Sequence, residues 1–487
     1  MGEMMNSSWF RGKRIVILGL ARQGTALARF LVGRGARVTI SDLQPAGAAP
    51  LAAAQAAVAD LPVTLALGGH PLALLDDADL LCLSGGVSPD LPIVQAARAA
   101  GIPLSNDSLL TLQQTAAFSV GITGSSGKTT TTTLTGAMLK ASGLTTWVGG
   151  NIGTPLIDQL DAIAANDRIV LELSSFQLEL FDPALCLGEP VSTRVAGMLN
   201  VTPNHLDRHP SMDAYAAAKR NLLLHQRAGD VAVLGLDNEI TAAWYAAYAT
   251  AAGRGLPGAG VQVLGFSLLT EPPVGASLRG DELRLRLPGQ AEQRVCRVAD
   301  VRLRGRHNIA NLLAAFCLSG AAGASVEAMT AVATTFSGVA HRLELVRVHA
   351  GVAWYNDSIA TAPERTIAAL QSFDEPIILL AGGRDKHLPW DLLALAGRGR
   401  VRHVITFGEA AGLIERALAD FAAAHPAAPG AAPSVQHTDS LAQAVALAAT
   451  LARPSDVVLL SPGGTSYDAY RDFAARGEHF RALVDGL

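Results

Sequence analysis

The sequence predicts an α/β protein made of three successive units, each built on a largely parallel sheet. Three observations predict it. The first is a glycine-rich loop, Gly121-Ile-Thr-Gly-Ser-Ser-Gly-Lys-Thr-Thr130, set between an apolar run and a helix-forming stretch. The second is a strand–helix–strand pattern near the N-terminus that ends on Asp42. The third is the restart of alternating strand and helix patterns after Gly338. Such alternation favours parallel sheets. A chain of 487 residues also suggests roughly three domains of about 150 residues each. The expected boundaries are 1–112, 113–338 and 339–487.

The first unit opens with Arg14-Ile-Val-Ile-Leu-Gly19, a buried-strand pattern. A glycine turn and a helix from Gly24 to Gly33 follow, then a strand from Ala36 to Asp42. The unit is Rossmann-like. A dinucleotide fingerprint needs Gly where Ala21 stands, which argues against NAD binding. Gly19, Leu20 and Ala21 form the candidate substrate-binding turn, and Asp42 is placed to hold a ribose or uridine hydroxyl. Another strand ends at Ser84 and Gly85, which join that candidate site.

The glycine-rich loop opens the second unit. Glycine turns let several backbone N–H groups face a phosphate. Gly124, Ser125, Ser126 and Gly127 would form the cradle, with Lys128 reaching the β- and γ-phosphates. Thr129 offers a hydroxyl to Mg²⁺, and Thr130 begins a helix whose N-terminus favours an anion. Ile122 stands where the longer pattern has Gly, so the match is to the shorter form T-G-x-x-G-K-T. Further strands are expected at 168–175 and 191–200, and short alternating runs between Gly253 and Arg304 add more strands to this unit. In the third unit strands are expected at 352–356, 376–380, 403–407 and 456–460. Ala422 to Pro433 reads as a surface loop.

Composition excludes several classes. A net charge of −4 shows no basic footprint for nucleic acid. No run of about 18 apolar residues exists to span a membrane, and Met1 to Arg11 contain no apolar signal core. The four cysteines lack any CxxC pair, which fits a reducing, cytoplasmic setting. A monomer is expected.

Phosphoryl transfer needs positioned charge more than covalent chemistry from the protein. Glu172 ends an apolar strand, where an unused carboxylate is costly, so it is a candidate Mg²⁺ ligand. His205 lies in a Pro-containing loop after another strand and is a candidate for a second metal. Lys219 sits on a helix beside three alanines; alone it is an ordinary solvated lysine. Asn308 opens a helix, where it can bond a purine edge or cap the helix. Arg342 stands at the second boundary, where a guanidinium could reach a γ-phosphate or form an interface ion pair.

Taken together, these residues resemble the Mur ligases, ATP-dependent amide-forming enzymes of peptidoglycan precursor synthesis. The marks are Thr123-Gly-Ser-Ser-Gly-Lys-Thr129, Gly150-Asn-Ile-Gly153, Glu172-Leu-Ser-Ser-Phe-Gln-Leu-Glu179, Asn200-Val-Thr-Pro-Asn-His-Leu-Asp207, Gly305-Arg-His-Asn308, His341-Arg342 and Asn356-Asp-Ser358. Within the family the chain looks most like the branch that joins D-glutamate to UDP-N-acetylmuramoyl-L-alanine. The resemblance implies the three-domain Mur ligase architecture: a Rossmann-like UDP-substrate domain, a P-loop ATPase domain and a Rossmann-like amino-acid domain. It implies ATP with two Mg²⁺ ions, served by Thr129, Glu172, His205 and a carbamylated Lys219. It places Asn151 on substrate and phosphate, and Asn308, Arg342 and Asp357 on adenine, γ-phosphate and ribose.

For the amino acid it implies Thr361, Lys386, Ser466 and Phe473. Many of these enzymes have N-D-S-K-A-T-N where this chain reads Asn356-Asp-Ser-Ile-Ala-Thr-Ala362, so a lysine is replaced by Ile359. The alternatives are a same-fold ligase adding L-glutamate or another amino acid, and a nucleotide-binding protein without catalysis. A switch needs neither a modifiable lysine nor a second-metal ligand.

Overall fold

The computed structural model describes residues 7–48, 51–188, 191–203, 208–251, 260–386, 388–425 and 433–487. Among them three sheets form. The first contains β1 (Arg14–Leu18), β2 (Arg37–Asp42), β3 (Val63–Leu67), β4 (Leu80–Leu83) and β5 (Leu104–Ser105), in the order β3-β2-β1-β4-β5. All its pairings are parallel. The order reverses between β1 and β4, and ligands of open α/β sheets bind beyond the strand ends at such a point.

The second sheet holds β6 (Phe118–Thr123), β7 (Thr146–Gly150), β8 (Arg168–Glu172), β9 (Val195–Met198), β10 (Val231–Gly235), β11 (Gln262–Ser267), β12 (Gly275–Arg279), β13 (Glu282–Arg286) and β14 (Gln293–Arg297). Its order is β14-β13-β12-β11-β10-β9-β6-β8-β7. From β7 to β12 the pairs are parallel; β13 and β14 add an antiparallel meander. β6 lies between β8 and β9, so its C-terminal end is the switch point of this sheet. β6 and β8 are buried along nearly their whole length, as strands covered on both sides should be.

The third sheet holds β15 (Glu344–His349), β16 (Val352–Asn356), β17 (Ile377–Gly382), β18 (Val401–Phe407), β19 (Ser434–His437) and β20 (Val457–Gly463). Its order is β15-β16-β20-β17-β18-β19, with only β15 antiparallel to its neighbour.

By compactness the chain forms two units. One contains residues 1–301 and 307–335; the other contains 302–306 and 336–487. Within the first unit the first two sheets share one apolar cluster, which includes Val16, Leu81, Leu104, Leu171, Phe181 and Met198. Polar ties cross the same seam. Arg29 pairs with Asp158 at 2.6 Å, Arg34 with Asp161 at 2.6 Å, and Asn106 Nδ2 donates to the carbonyl of Gln177 at 2.9 Å.

The expected loop from Ala422 to Pro433 begins later than the sequence suggests. The helix Ala411–Ala424 runs into it, because alanine favours helix, and residues 426–432 lie outside the described set. Among the described residues no helix is long and apolar enough to cross a membrane.

Candidate functional site

The phosphate-type loop leaves β6 and enters the helix Lys128–Ala141. Gly124 has φ 158° and Gly127 has φ 82°. A Cβ at Gly127 would run into Asn311 Oδ1 from the helix Arg306–Ala321. The left-handed backbone and this close approach together require glycine. Gly127→Ala is therefore expected to weaken nucleotide binding at this loop about tenfold or more and to lower the melting temperature, checked by nucleotide titration and calorimetry.

Neighbouring segments fix the loop. The Ser125 N–H donates to the Asn200 carbonyl at 2.9 Å, and the Ser126 N–H to Asn200 Oδ1 at 3.0 Å. Ser125 Oγ bonds the Thr202 carbonyl at 2.9 Å and lies 3.1 Å from the Tyr215 hydroxyl. Lys128 Nζ folds back onto the carbonyls of Gly124 (2.8 Å) and Ser125 (3.3 Å). Thr129 lies on the first turn of the following helix, and Thr130 is buried there.

Glu172, at the end of β8, is 2% exposed. Asn151 donates its side-chain amide to Glu172 Oε1 at 3.0 Å and its backbone N–H to the Glu172 carbonyl at 2.8 Å. Glu172 Oε2 is buried with no hydrogen-bond partner. A buried carboxylate oxygen left unbonded costs free energy unless something positive meets it.

Lys219 lies on the helix Met212–Leu224 and is 1% exposed, not solvated as an isolated helix lysine would be. Its Nζ donates to the Gly124 carbonyl at 3.0 Å and to Thr123 Oγ1 at 3.3 Å, and sits 4.7 Å above the Tyr215 ring. Burial and the nearby Lys128 charge pull its pKa down to about 6, with Glu172 opposing them. The amine is thus largely neutral at pH 7. Asn308 is buried one turn before Asn311 and accepts from its Nδ2 at 3.0 Å. The structure so brings Lys128, Glu172, Asn151, Lys219 and the loop to the end of one sheet. His205 lies outside the described residues.

At the first sheet's switch point Gly19 has φ 93°, and Ser84 Oγ donates to its carbonyl at 3.0 Å. Asp42 turns inward: its carboxylate accepts the Leu20 N–H at 2.7 Å and the Gln44 N–H at 2.9 Å. Ala21 caps the next helix without a side-chain bond. The Gly85 N–H donates to Gln23 Oε1 at 2.7 Å. A cleft lined by Ser84, Gly85, Asn106, Phe176, Gln177 and Arg208 opens here.

In the second compact unit, Asp357 follows β16 and is 5% exposed. Ser461 Oγ and the Leu343 N–H both donate to its carboxylate, at 2.8 and 3.2 Å, yet burial still raises its pKa to about 7. Arg342 lies between His341 (φ 63°) and Leu343 (φ 43°), two left-handed non-glycine residues. Lys386 Nζ donates to Thr361 Oγ1 at 3.3 Å. Ser466 is buried, and Phe473 is partly exposed at the start of the last helix, Phe473–Asp485. The Lys386 and Ser466 segments are joined by a two-way backbone bridge between Arg384 and Thr465, 2.8 Å in each direction.

Four residues escaped the sequence reading as site elements: Asn200, Tyr215, Asn311 and Arg476. Tyr215 was findable, since it stands four residues before Lys219 on one helix face. Arg476 also left a signal, because it occupies the apolar stripe of its helix with Phe473, Phe480 and Val484.

Comparison with known proteins gives the following. Residues 13–106 match "Mur ligase MurD-like, N-terminal domain", 122–319 match "Mur ligase middle domain" and 341–464 match "Mur ligase, glutamate ligase domain". The UDP-N-acetylmuramoylalanine–D-glutamate ligase of Symbiobacterium thermophilum is 41% identical over 477 residues, 98% of each chain. The enzyme of the same name from Clostridium novyi is 36% identical over 483 residues, again 98% of each. Among solved structures, UDP-N-acetylmuramate-alanine ligase MurC of Thermotoga maritima aligns with a TM-score of 0.56 at 17% identity, covering 97% of this chain and 99% of that one. MurF of Acinetobacter baumannii aligns with a TM-score of 0.55 at 18% identity, covering 98% and 93%. These two speak to the fold alone.

Proposed function

Because the chain belongs to the Mur ligase family of ATP-dependent ligases, we propose that it joins D-glutamate to UDP-N-acetylmuramoyl-L-alanine in peptidoglycan precursor synthesis. One observation carries the chemical part of this reading. A buried carboxylate with an unbonded oxygen and a buried, largely neutral lysine stand beside a phosphate-type loop. A passive nucleotide binder could use the carboxylate for a metal ion, but it has no use for the buried neutral lysine.

The reaction begins when the alanyl carboxylate oxygen attacks the γ-phosphorus of ATP and ADP leaves. The acyl phosphate then has a leaving group that a carboxylate lacks. The glutamate amine attacks its carbonyl, loses a proton, and the tetrahedral intermediate expels phosphate. Lys128 would release the loop carbonyls and turn to the β- and γ-phosphates, countering the charge that accumulates there. The loop N–H groups that Asn200 does not engage would orient the phosphates.

The residues present fit Mg²⁺, which takes few ligands from protein and prefers hard oxygens. Glu172 Oε2 and the Thr129 hydroxyl would hold one ion; His205 and a carbamylated Lys219 would serve a second. The metal supplies Lewis-acid stabilisation of phosphoryl oxygens. A neutral Lys219 amine is the form that adds CO₂: an N–C bond forms, the nitrogen gives up a proton, and an anionic carbamate replaces a neutral amine. Asn151 orients Glu172 and would meet substrate.

Asn308, Arg342 and Asp357 are proposed to bind adenine, γ-phosphate and ribose, and Thr361, Lys386, Ser466 and Phe473 the amino acid. Gly19, Leu20, Ala21, Ser84 and Gly85 are proposed to bind the UDP substrate. Asp42 would do so while bracing the turn. The domain limits proposed are 1–112, 113–338 and 339–487. The cytosol, which supplies ATP and UDP-sugars, is the proposed compartment.

The test is phosphate release from ATP with UDP-N-acetylmuramoyl-L-alanine and either D- or L-glutamate. Release that needs both the UDP substrate and D-glutamate is expected. Release with L-glutamate alone would reassign the stereochemistry, and release without any amino acid would remove the ligase reading.

A further inference from the structure

Resting on the glutamate-ligase reading above, we infer that Arg365 is a specificity-determining cation of the amino-acid pocket. With Lys386 it forms a two-cation clamp for a dicarboxylic amino acid, replacing the charge missing at Ile359.

The geometry is local to one short segment, residues 359–361. Arg365 lies on the first turn of the helix Pro363–Leu370, yet its Nη1 turns back to the carbonyl of Ile359 at 3.3 Å. Lys386 Nζ reaches the same segment from another loop, bonding Thr361 Oγ1 at 3.3 Å. A guanidinium thus rests on the backbone of the residue whose own side chain is uncharged, and an ammonium stands two residues away.

Among the described residues neither head is neutralised by an ion pair. Arg384, one turn of loop away from Lys386, shows the contrast: it is spent on Glu409 through two bonds of 2.8 and 3.0 Å. Burial and the Arg365 charge lower the pKa of Lys386, and Glu364 offsets this only in part. Two like charges held on one segment repel unless an anion joins them.

The surroundings are built rather than loose. The Gly463 N–H donates to the Ala360 carbonyl at 2.9 Å, tying the segment to the end of β20, and Thr366 Oγ1 donates to the Ser461 carbonyl at 3.1 Å. Arg365 is therefore carried by a helix whose inner face is pinned, while its own side chain is exposed. A guanidinium presents a planar fork that matches a carboxylate in two bonds, which an ammonium cannot. A dicarboxylic ligand has two such groups, one for each cation. An amino acid with a neutral side chain would leave one cation unmet.

The experiment uses the full-length protein with ATP, UDP-N-acetylmuramoyl-L-alanine and varied D-glutamate. In Arg365→Met the KM for D-glutamate is expected to rise about 10- to 100-fold, the range of a lost charge-assisted bond. The KM for the UDP substrate should hold, and any change in the KM for ATP, which Arg365 reaches only through its charge on Asp357, should be smaller than that for glutamate. The preference for D-glutamate over D-glutamine should narrow in the same variant. Adding Ile359→Lys to Arg365→Met should recover part of the glutamate KM, which a merely structural role for Arg365 does not predict. A wild type that turns over D-glutamate, together with an Arg365→Met variant of unchanged glutamate KM, would overturn the inference. No glutamate-dependent phosphate release from wild type would instead overturn the ligase reading, and the clamp with it.

Discussion

Replacing Lys219 by methionine is expected to reduce ligation by about 10²–10³-fold or more while raising the melting temperature. The two effects come from one cause. Lys219 is 1% exposed, and its pKa falls from the ordinary lysine value to about 6. Between about 6 and 10.5 the unfolded chain binds a proton at this position that the folded chain does not. Stability contributed at this site therefore rises with pH across that window, and at neutral pH the buried amine is a net cost. Methionine fills similar space without that cost. Its loss strands little, because the Gly124 carbonyl still accepts from Lys128 at 2.8 Å. In CO₂-free buffer the excess melting temperature of Lys219→Met should be greatest at and below about pH 6 and vanish towards pH 10 to 11. A variant that melts lower than wild type at pH 7 would contradict this. Functional sites commonly hold such costs in exchange for activity.

Arg476→Met is expected to lose about 3 kcal/mol or more of stability, because the buried carbonyls of Ser358 and Gly464 and the Ser358 hydroxyl lose their donor. Arg476 is 0% exposed. Its Nη atoms bond the carbonyls of Ser358 (2.9 Å), Gly464 (3.1 Å from each) and Thr465 (3.2 Å), and its Nε bonds Ser358 Oγ at 3.0 Å. Burial lowers its pKa to about 10, which still leaves it charged at pH 7. Lysine cannot reproduce five bonds to two loops, so Arg476→Lys should rescue only part of the loss. The melting temperature of the second compact unit should fall by about 10 °C, read by calorimetry. Residual enzyme should show a raised glutamate KM, because Ser466 adjoins Thr465. A melting shift below about 2 °C would show that water replaces the guanidinium.

The phosphate-type loop was legible because its chemistry is local: three glycines, a lysine and a helix start within ten residues. Glu172 was legible for a similar reason, since an acid ending an apolar strand is anomalous by itself. From its own surroundings Lys219 was legible only as a helix residue; a role for it came from the resemblance alone. Its burial depends on β6 and on Tyr215, and no local pattern carries that. The reading of Asp42 was incomplete for the same reason: one oxygen braces the Leu20 turn and the other its own following turn at Gln44, a use its position alone does not reveal. The meander β12 to β14 was anticipated as added strands, but its antiparallel pairing was not. Arg476 stood in an apolar stripe, and the conflict between its charge and its position was the readable signal. The acceptors it serves, 11 to 118 residues away, were not.

Asn311 touches the nucleotide loop from far along the chain: its Oδ1 accepts from Thr131 Oγ1 at 3.4 Å, across 180 residues, and packs where a side chain at Gly127 would stand. During synthesis, the loop therefore emerges long before the residue that completes its walls. Until the helix Arg306–Ala321 leaves the ribosome, the nascent chain has a loop but not its final shape. The loop therefore reaches its final walls only after the whole second sheet has been made.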